Sequence, residues 1–237
     1  MGNQYNNIAI LFFSRSAKAE AKQKQFSRKN DITQNTQLAS SLISHTFSQI
    51  KKTDLPYFHI DETRQIGTSF GERFANAFQY IFDHGFDYVI SVGNDIPQLR
   101  AHHIRQAAQK LRSDDADMVF GPDADGGTWL MGYSKEKFNA NRFRQLPWNS
   151  DYLLDTILEQ SGNIATIALL ETLFDIDDPG ALQVFTESRF IDQTLLKLIR
   201  KLLAILSGAF YKQTFTQFAS FQTSSFRLHL LRGPPLC

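Results

Sequence analysis

The sequence predicts an α/β fold in which a mostly parallel, doubly wound sheet is flanked by helices. Short apolar runs typical of buried strands alternate with helical apolar patterns between Ile8 and Leu169. Two of these runs, Tyr88–Val92 and Met118–Phe120, are followed closely by glycine or proline and by aspartate. In an open α/β sheet, ligands bind at the edge formed by the carboxyl ends of the strands. These aspartates are therefore expected to mark a site rather than to serve structure alone.

Composition limits the classes of function. The 237 residues suit one α/β domain, with or without an appendage, and the formal charge of +1 gives no general attraction to nucleic acid or membrane. The single cysteine, Cys237, excludes a disulfide within the chain and a zinc site built from cysteines. No cationic stretch precedes the first apolar run, and no apolar run reaches the roughly 20 residues of a membrane span. We therefore expect a cytosolic protein without a nucleic-acid partner and without an integral membrane segment.

The first elements can be placed in order. Ile8–Phe13 is continuously apolar, as in a central parallel strand. The segment after it is basic and includes Arg15, Lys18 and Lys22. Two interpretations of this segment have equal weight: it cradles phosphates, or it is a solvated loop or short polar helix. It contains no glycine that would let the backbone close around an anion.

A helix is expected next, capped by Asn35 or Thr36 and reaching about Lys52, followed by a strand at Leu55–Ile60. Ser69 and Glu72 then form the S-x-x-E pattern of a capping box, which predicts a helix to about His84. In that role Glu72 satisfies a helix end, and this is the favoured interpretation of that carboxylate.

The second half continues the alternation. His102 and His103 fall in the first turn of a predicted helix and are expected at the surface, because a metal-binding pair on a helix needs a spacing of three or four. The predicted elements are, in order, a strand at Tyr88–Val92, turn and helix from Pro97 to about Arg112, strands at Met118–Phe120 and Thr128–Gly132, a helix capped by Asn149 or Ser150 and reaching about Gln160, and a strand at Ile164–Leu169.

The last part of the chain has another character, so we divide the sequence into a domain at 1–187 and an extension at 188–237. Leucine and isoleucine recur at helical spacing from Leu195 to Leu206, with lysine and arginine on the other side, and an aromatic tail follows. The extension is expected to pack on the domain or to close an interface in a homo-oligomer. A basic amphipathic helix of this kind also fits a membrane surface or a partner protein.

Four aspartates are the candidates for chemistry: Asp95, Asp125, Asp175 and Asp177. The last two lie on the same side of an extended segment, whereas Asp178 before Pro179 suits a helix cap. Acids alone would repel a phosphate, but Mg²⁺ or Mn²⁺ takes oxygen ligands and bridges carboxylates to phosphate oxygens.

Other chemistries have little support in the sequence. It lacks G-x-S-x-G, a Walker-type loop and G-x-G-x-x-G after the first strand. Ser14 and Ser16 have no His/Asp arrangement that the sequence reveals.

Several segments in order resemble a bacterial family of glycosyltransferase-like proteins. They are GTSFGERFANAF, GNDIPQL, GPDADGGTWLMG, LPWNS and DIDDPGAL, and the similarity spans about residues 7 to 185. The resemblance implies the GT-A fold of nucleotide-diphospho-sugar transferases and a relation to molybdenum-cofactor and phospholactate guanylyltransferases.

The resemblance also implies roles for residues. Asp95 matches the family's metal-binding acid, with Asn94 where threonine is usual, and Asp175 and Asp177 match a second acidic contribution. The family's D-G-G turn on the acceptor side is matched by Asp125, Gly126 and Gly127. The lining of the nucleotide pocket is matched by Glu72, Arg73 and Trp148. The sequence departs from the family after the first strand, where Glu20 stands near an expected glycine and only Lys22 or Lys24 approximates an expected lysine.

The sequence therefore predicts a metal-dependent glycosyl- or nucleotidyltransferase. Its donor would be a nucleotide-sugar or a nucleoside triphosphate, and its acceptor an unidentified small molecule. Asp95, Asp125 and Asp177 would be catalytic, Asp95, Asp175 and Asp177 would hold the metal, and Arg15, Lys18 and Lys22 would bind phosphate. The alternative is a non-catalytic nucleotide- or partner-binding protein on the same fold.

Overall fold

The computed structural model describes residues 7–24, 31–113, 115–175, 197–198, 201–202 and 205. Within these ranges six strands form one sheet in the order β2-β1-β3-β5-β4-β6. The strands are β1 (Ile8–Phe13), β2 (Tyr57–Ile60), β3 (Tyr88–Val92), β4 (Met118–Pro122), β5 (Thr128–Ser134) and β6 (Ile167–Leu169).

The sheet is mixed but mostly parallel, as predicted. β1 pairs in parallel with β2 and β3, and β4 pairs in parallel with β6. β5 lies between β3 and β4 and is antiparallel to both. The prediction of an α/β sheet flanked by helices is confirmed, and β5 is its one reversed strand.

The helices cover both faces of this sheet. They are α1 (Ala17–Gln23), α2 (Ile32–Lys51), α3 (Phe70–Asp83), α4 (Ala101–Arg112), α5 (Ala140–Arg144) and α6 (Leu153–Ser161), with a 3₁₀ turn at Gly162–Ile164. One buried cluster, which includes Ile10, Ile90 and Ile104, lies on the α4 side of the sheet. The other includes Phe78, Phe120 and Tyr133 and lies on the α3 side.

Several element boundaries differ from prediction for local reasons. α2 starts at Ile32 because Asp31 accepts hydrogen bonds from the amides of Thr33 and Gln34, so the predicted cap at Asn35 or Thr36 was wrong. α6 starts at Leu153 rather than directly after Ser150, because a turn precedes it. The start of β6 is delayed to Ile167 by the 3₁₀ turn, and the short α5 was not predicted.

Only part of the C-terminal extension falls within the described residues. Lys197, Leu198, Lys201 and Leu202 are helical; both leucines are buried and both lysines are exposed. This agrees with the predicted amphipathic pattern at these positions, whereas Leu195, Leu206 and the aromatic tail lie outside the described residues. Each helix described here is too short or too polar to traverse a bilayer.

Candidate functional site

Three chain segments meet at one edge of the sheet. β1 and β3 are parallel neighbours, so the segment after Phe13 and the Gly93-Asn94-Asp95 turn leave the sheet at the same edge. β5 runs the opposite way beside β3, and its residue Leu130 pairs with Val92 at the end of β3. The β4–β5 turn at 123–127 therefore belongs to this edge as well.

The basic segment after β1 is organised by a buried acid. Ser16 caps α1 by accepting a hydrogen bond from the amide of Ala19, so the segment is a short polar helix, and its phosphate-binding role stays a prediction. Glu20 in this helix is only 2% exposed. Its carboxylate pairs with Arg15 Nη1 and with Lys24 Nζ, each at 3.4 Å. Because an unpaired buried charge is costly, Glu20 fixes both cations in place.

Lys24 connects this helix to the end of β3. Its Nζ lies 2.7 Å from Oδ2 of Asp95, across 71 positions of sequence. Burial alone would raise the pKa of Asp95, but the Lys24 ammonium outweighs it and holds that pKa below its ordinary value. Asp95 is thus a charged, half-buried carboxylate in contact with a cation. Lys18 and Lys22, predicted to bind phosphate, are exposed on α1.

The β4–β5 turn contributes a carboxylate that the sequence analysis did not select. Asp123 Oδ1 accepts hydrogen bonds from the amides of Asp125, at 3.0 Å, and Gly127, at 2.6 Å. Burial, together with the negative charges of Asp125 and Asp95, raises the pKa of Asp123. Asp123 and Asp95 are therefore electrostatic neighbours, whereas Asp125 is exposed on the turn. The D-x-x-x-G spacing of an Asx-type turn was the signal available in the sequence.

Asn94, beside Asp95, carries a buried donor that has no partner in the described part of the chain. The residue is 6% exposed, and its Nδ2 has no hydrogen-bond acceptor among the described residues. A buried amide donor without a partner costs free energy comparable to a lost hydrogen bond. Such a group at a strand end is suited to donate a hydrogen bond to an oxygen atom of a ligand.

Three residues placed in the nucleotide pocket by the resemblance have structural contacts. Glu72 accepts hydrogen bonds from Thr68 and Ser69 and forms the capping box of α3, as the S-x-x-E pattern predicted. Arg73 donates to the carbonyl of Thr68. Trp148 donates from Nε1 to the carbonyl of Phe143 at 3.1 Å and packs among aromatic rings. These contacts make all three residues supports of α3 and α5, and their predicted place in the nucleotide pocket stays a prediction.

The second acidic segment reaches the same edge only in part. Leu173 bridges in parallel to Asp123, and the amide of Phe174 donates to Gln98 Oε1 at 2.9 Å. These contacts hold the chain that leads to Asp175, which is half-buried, against the β3–α4 connection. Asp177 lies outside the described residues, so its predicted convergence with Asp95 stays a prediction.

Within the part of the chain that the structure describes, the group of three potential metal ligands is His102, His103 and Glu171. His103 was expected at the surface, but it is 4% exposed, so that expectation was wrong. Its Nδ1 accepts a hydrogen bond from the Arg100 amide at 3.1 Å, and its Nε2 lies 2.9 Å from Glu171. Since Nδ1 is an acceptor, the proton of the neutral ring sits on Nε2 and points at Glu171. The ring therefore caps α4 and has no lone pair to offer a metal.

The buried His103 predicts a pH dependence of stability. Burial lowers its pKa to about 4, from 6.5, and the nearby His102 lowers it further while Glu171 opposes the shift. A base with a lowered folded-state pKa stabilises the fold above pH 6.5, and this contribution is lost as the pH falls toward 4. We expect the free energy of unfolding to fall by about 2 kcal/mol between pH 7.5 and 5. Urea titrations at several pH values across this range would measure how the free energy of unfolding changes with pH.

The control for this prediction is the histidine at the end of α3. His103→Gln should reduce the pH dependence between pH 7.5 and 5, whereas the exposed His84→Gln should keep it. An unchanged slope in His103→Gln would show that another group carries the effect.

A serine–histidine pair that the sequence did not reveal lies at the end of β1. Ser14 Oγ is 2.9 Å from His59 Nε2, and the His59 ring stacks on Phe12. Burial lowers the pKa of His59. Ser14 is 5% exposed and its hydroxyl is engaged by His59, so the pair joins β1 to β2.

Comparison with known proteins supports the same fold. The profile of a bacterial family described as uncharacterized proteins conserved in bacteria, DUF2064, matches residues 17–150, more than half of the chain. No curated protein matches the sequence significantly.

One solved structure with a TM-score above 0.5 shares this architecture. A proposed nucleotide-diphospho-sugar transferase from Desulfovibrio desulfuricans G20 superposes with a TM-score of 0.71 at 21% identity, covering 84% of this chain and 96% of that one. A protein from Mycobacterium sp. strain JC1, a homologue of a Mycobacterium tuberculosis protein, has a TM-score of 0.47 at 11% identity, with coverages of 82% and 98%. The first of these similarities confirms the predicted nucleotide-diphospho-sugar transferase type of fold.

Proposed function

This chain belongs to the DUF2064 family, and from its likeness to a proposed nucleotide-diphospho-sugar transferase and the geometry of the sheet edge we propose that it is a glycosyl- or nucleotidyltransferase. Its donor is a nucleotide-sugar or a nucleoside triphosphate, and its acceptor a small molecule. The observation that carries the proposal is the contact between Lys24 and Asp95, at 2.7 Å. It brings a cationic helix and a strand-end carboxylate together at the edge where α/β sheets bind ligands.

The donor phosphates are assigned to the α1 side of the edge. Arg15 and Lys24 are held there by the buried Glu20, and Lys18 and Lys22 extend from the exposed face of the same helix. Cations gathered at this side before the ligand arrives can stabilise the negative charge of the donor phosphates. The unpartnered amide of Asn94 provides a further donor beside Asp95.

The acceptor is assigned to the other side of Asp95, at the β4–β5 turn. Gly126 has φ +84° and Gly127 donates its amide to Asp123, so the turn has a fixed shape. Asp125 is exposed on this turn and can accept a hydrogen bond from an acceptor hydroxyl. Asp123 has a raised pKa and is the better placed of the two to exchange a proton.

The carboxylates at this edge are also candidates to hold a divalent cation such as Mg²⁺ or Mn²⁺. Asp95 and Asp123 are electrostatic neighbours and offer the carboxylate oxygens that hard cations take. Asp175, and Asp177 from the resemblance, are further candidates in the segment that follows β6. A cation bound at Asp95 would offset the charge on a departing diphosphate or pyrophosphate.

Isothermal titration of the full chain with a panel of nucleotides and nucleotide-sugars, with and without Mg²⁺, tests the proposal. We expect one donor class to bind, with Mg²⁺ increasing its affinity. A nucleoside triphosphate as the preferred ligand indicates nucleotidyl transfer, and a nucleotide-sugar indicates glycosyl transfer. The absence of binding to every compound at millimolar concentration would exclude both.

The pairing of Asp95 with Lys24 also supports a second candidate, a non-catalytic nucleotide-binding protein. In that case the ammonium neutralises the carboxylate permanently and the edge serves only to hold an anion. Binding without Mg²⁺ dependence, and without product in a mass-spectrometric assay that includes candidate acceptors, would favour this candidate.

A further inference from the structure

Lys24 is in direct contact with the carboxylate of Asp95. Its Nζ is 2.7 Å from Asp95 Oδ2, a short and charge-assisted contact. The side chain of Lys24 is 17% exposed and that of Asp95 is 28% exposed, so the pair is partly shielded from water. An ion pair of this kind is weakened less by solvent than one on an open surface.

Glu20 holds Lys24 in this arrangement. Its side chain is 3% exposed and is bounded by Lys24 Nζ and by Arg15 Nη1, both at 3.4 Å. A lysine in contact with two carboxylates is held more firmly than one tethered only by its own flexible stem. The buried acid thus aims Lys24 across the gap between α1 and β3.

We propose that Lys24, positioned by Glu20, is a resident counter-cation of Asp95 that a divalent metal has to displace before it can bind. This inference rests on the proposed function, because it concerns the metal assigned to that site. Displacement moves the ammonium away from Asp95 Oδ2 while its contact with Glu20 keeps it at the same edge. There the ammonium faces the position assigned to the donor phosphates, so the positive charge of Lys24 stays available to the ligand.

The direct consequence concerns the affinity for the metal alone. Two unit charges at this separation interact strongly enough to change a binding constant by about tenfold or more. Lys24→Gln removes the charge and keeps a hydrogen-bond donor for the two carboxylates. We therefore expect Lys24→Gln to bind Mn²⁺ about tenfold more tightly than the unaltered chain, measured from the electron paramagnetic resonance signal of free Mn²⁺ without any nucleotide.

Two controls isolate the mechanism. Lys52→Gln changes the net charge equally at an exposed position after α2 and should leave the Mn²⁺ affinity unchanged. Lys24→Arg retains the charge and should bind Mn²⁺ as weakly as the unaltered chain. In an Asp95→Asn background, Lys24→Gln should have no effect, because the carboxylate that the lysine occupies is gone.

An unchanged or weaker Mn²⁺ affinity in Lys24→Gln would overturn the inference, and so would an equal gain in the Asp95→Asn background. The same holds if neither the unaltered chain nor Lys24→Gln binds Mn²⁺ at millimolar concentration. Because these titrations contain no donor, a failure to find a nucleotide ligand leaves their outcome intact. Thermal melts of each variant confirm that the compared proteins are folded.

Discussion

Asp95→Asn is expected to weaken metal-dependent nucleotide binding by about 100-fold or more. Loss of a supporting contact around a bound metal already lowers affinity by about 10–100-fold, and loss of a ligand should exceed this. Asn is close in size to Asp but cannot carry the charge that a hard cation requires, and it also releases Lys24 from its 2.7 Å contact. Isothermal titration with Mg²⁺ and the preferred donor gives the affinities of both proteins.

The matched control is Asp155→Asn, which removes one negative charge from the exposed face of α6. It should bind the donor like the unaltered chain. If Asp95→Asn retains both its affinity and its dependence on Mg²⁺, the metal is held elsewhere and the assignment of this edge is wrong. Thermal unfolding of the two variants separates lost binding from lost folding.

Gly126→Ala, at the acceptor side of the edge, should cause a large loss in the free energy of unfolding. Gly126 has φ +84°, and a Cβ added there would collide with the backbone carbonyl of Asp151. The carbonyl of Gly126 also accepts a hydrogen bond from the amide of Leu154, at 3.1 Å, so the turn cannot move aside freely. Left-handed backbone costs a residue with a side chain about 1 kcal/mol. Overpacking adds about 1–3 kcal/mol, so we expect a total near 3 kcal/mol.

Gly85→Ala separates the two contributions. Gly85 has φ +89°, close to that of Gly126, but a Cβ there would meet nothing within 4 Å. It should lose only the backbone cost of about 1 kcal/mol. Urea denaturation midpoints of the three proteins measure both values. Equal losses in the two variants would show that the collision with Asp151 is relieved and that the turn is softer than its contacts indicate.

The strands at the centre of the sheet were predictable because they are continuous apolar runs ended by glycine or by polar residues. β1 and β3 occur where the sequence placed them, and the capping box fixed the start of α3. α2 was misjudged because Asp31 competes with Asn35 and Thr36 as a cap, and the choice depends on packing: Asn35 is fully buried. The short α5 has too few residues for a periodic pattern.

The site was harder to predict, because its decisive contacts join distant positions. Asp95 could be selected from its place after β3, but its pairing with Lys24 spans 71 residues and has no local signature. In the sequence, Glu20 only stands near the position where the family has a glycine. In the structure it is buried and pairs with two cations. Asp123 and Asp125 are two residues apart, and only the turn geometry shows that the first is half-buried and the second exposed.

The reversed direction of β5 has a consequence for where this molecule can adapt to its ligands. A hairpin joins β4 to β5, so residues 123–127 are clamped at both ends by the ladder of the sheet. The basic segment opposite is anchored through a few ionic contacts instead. We expect rearrangement on ligand entry to be concentrated in the basic segment after β1. The turn at 123–127 should keep its shape and so restrict which molecules fit beside it.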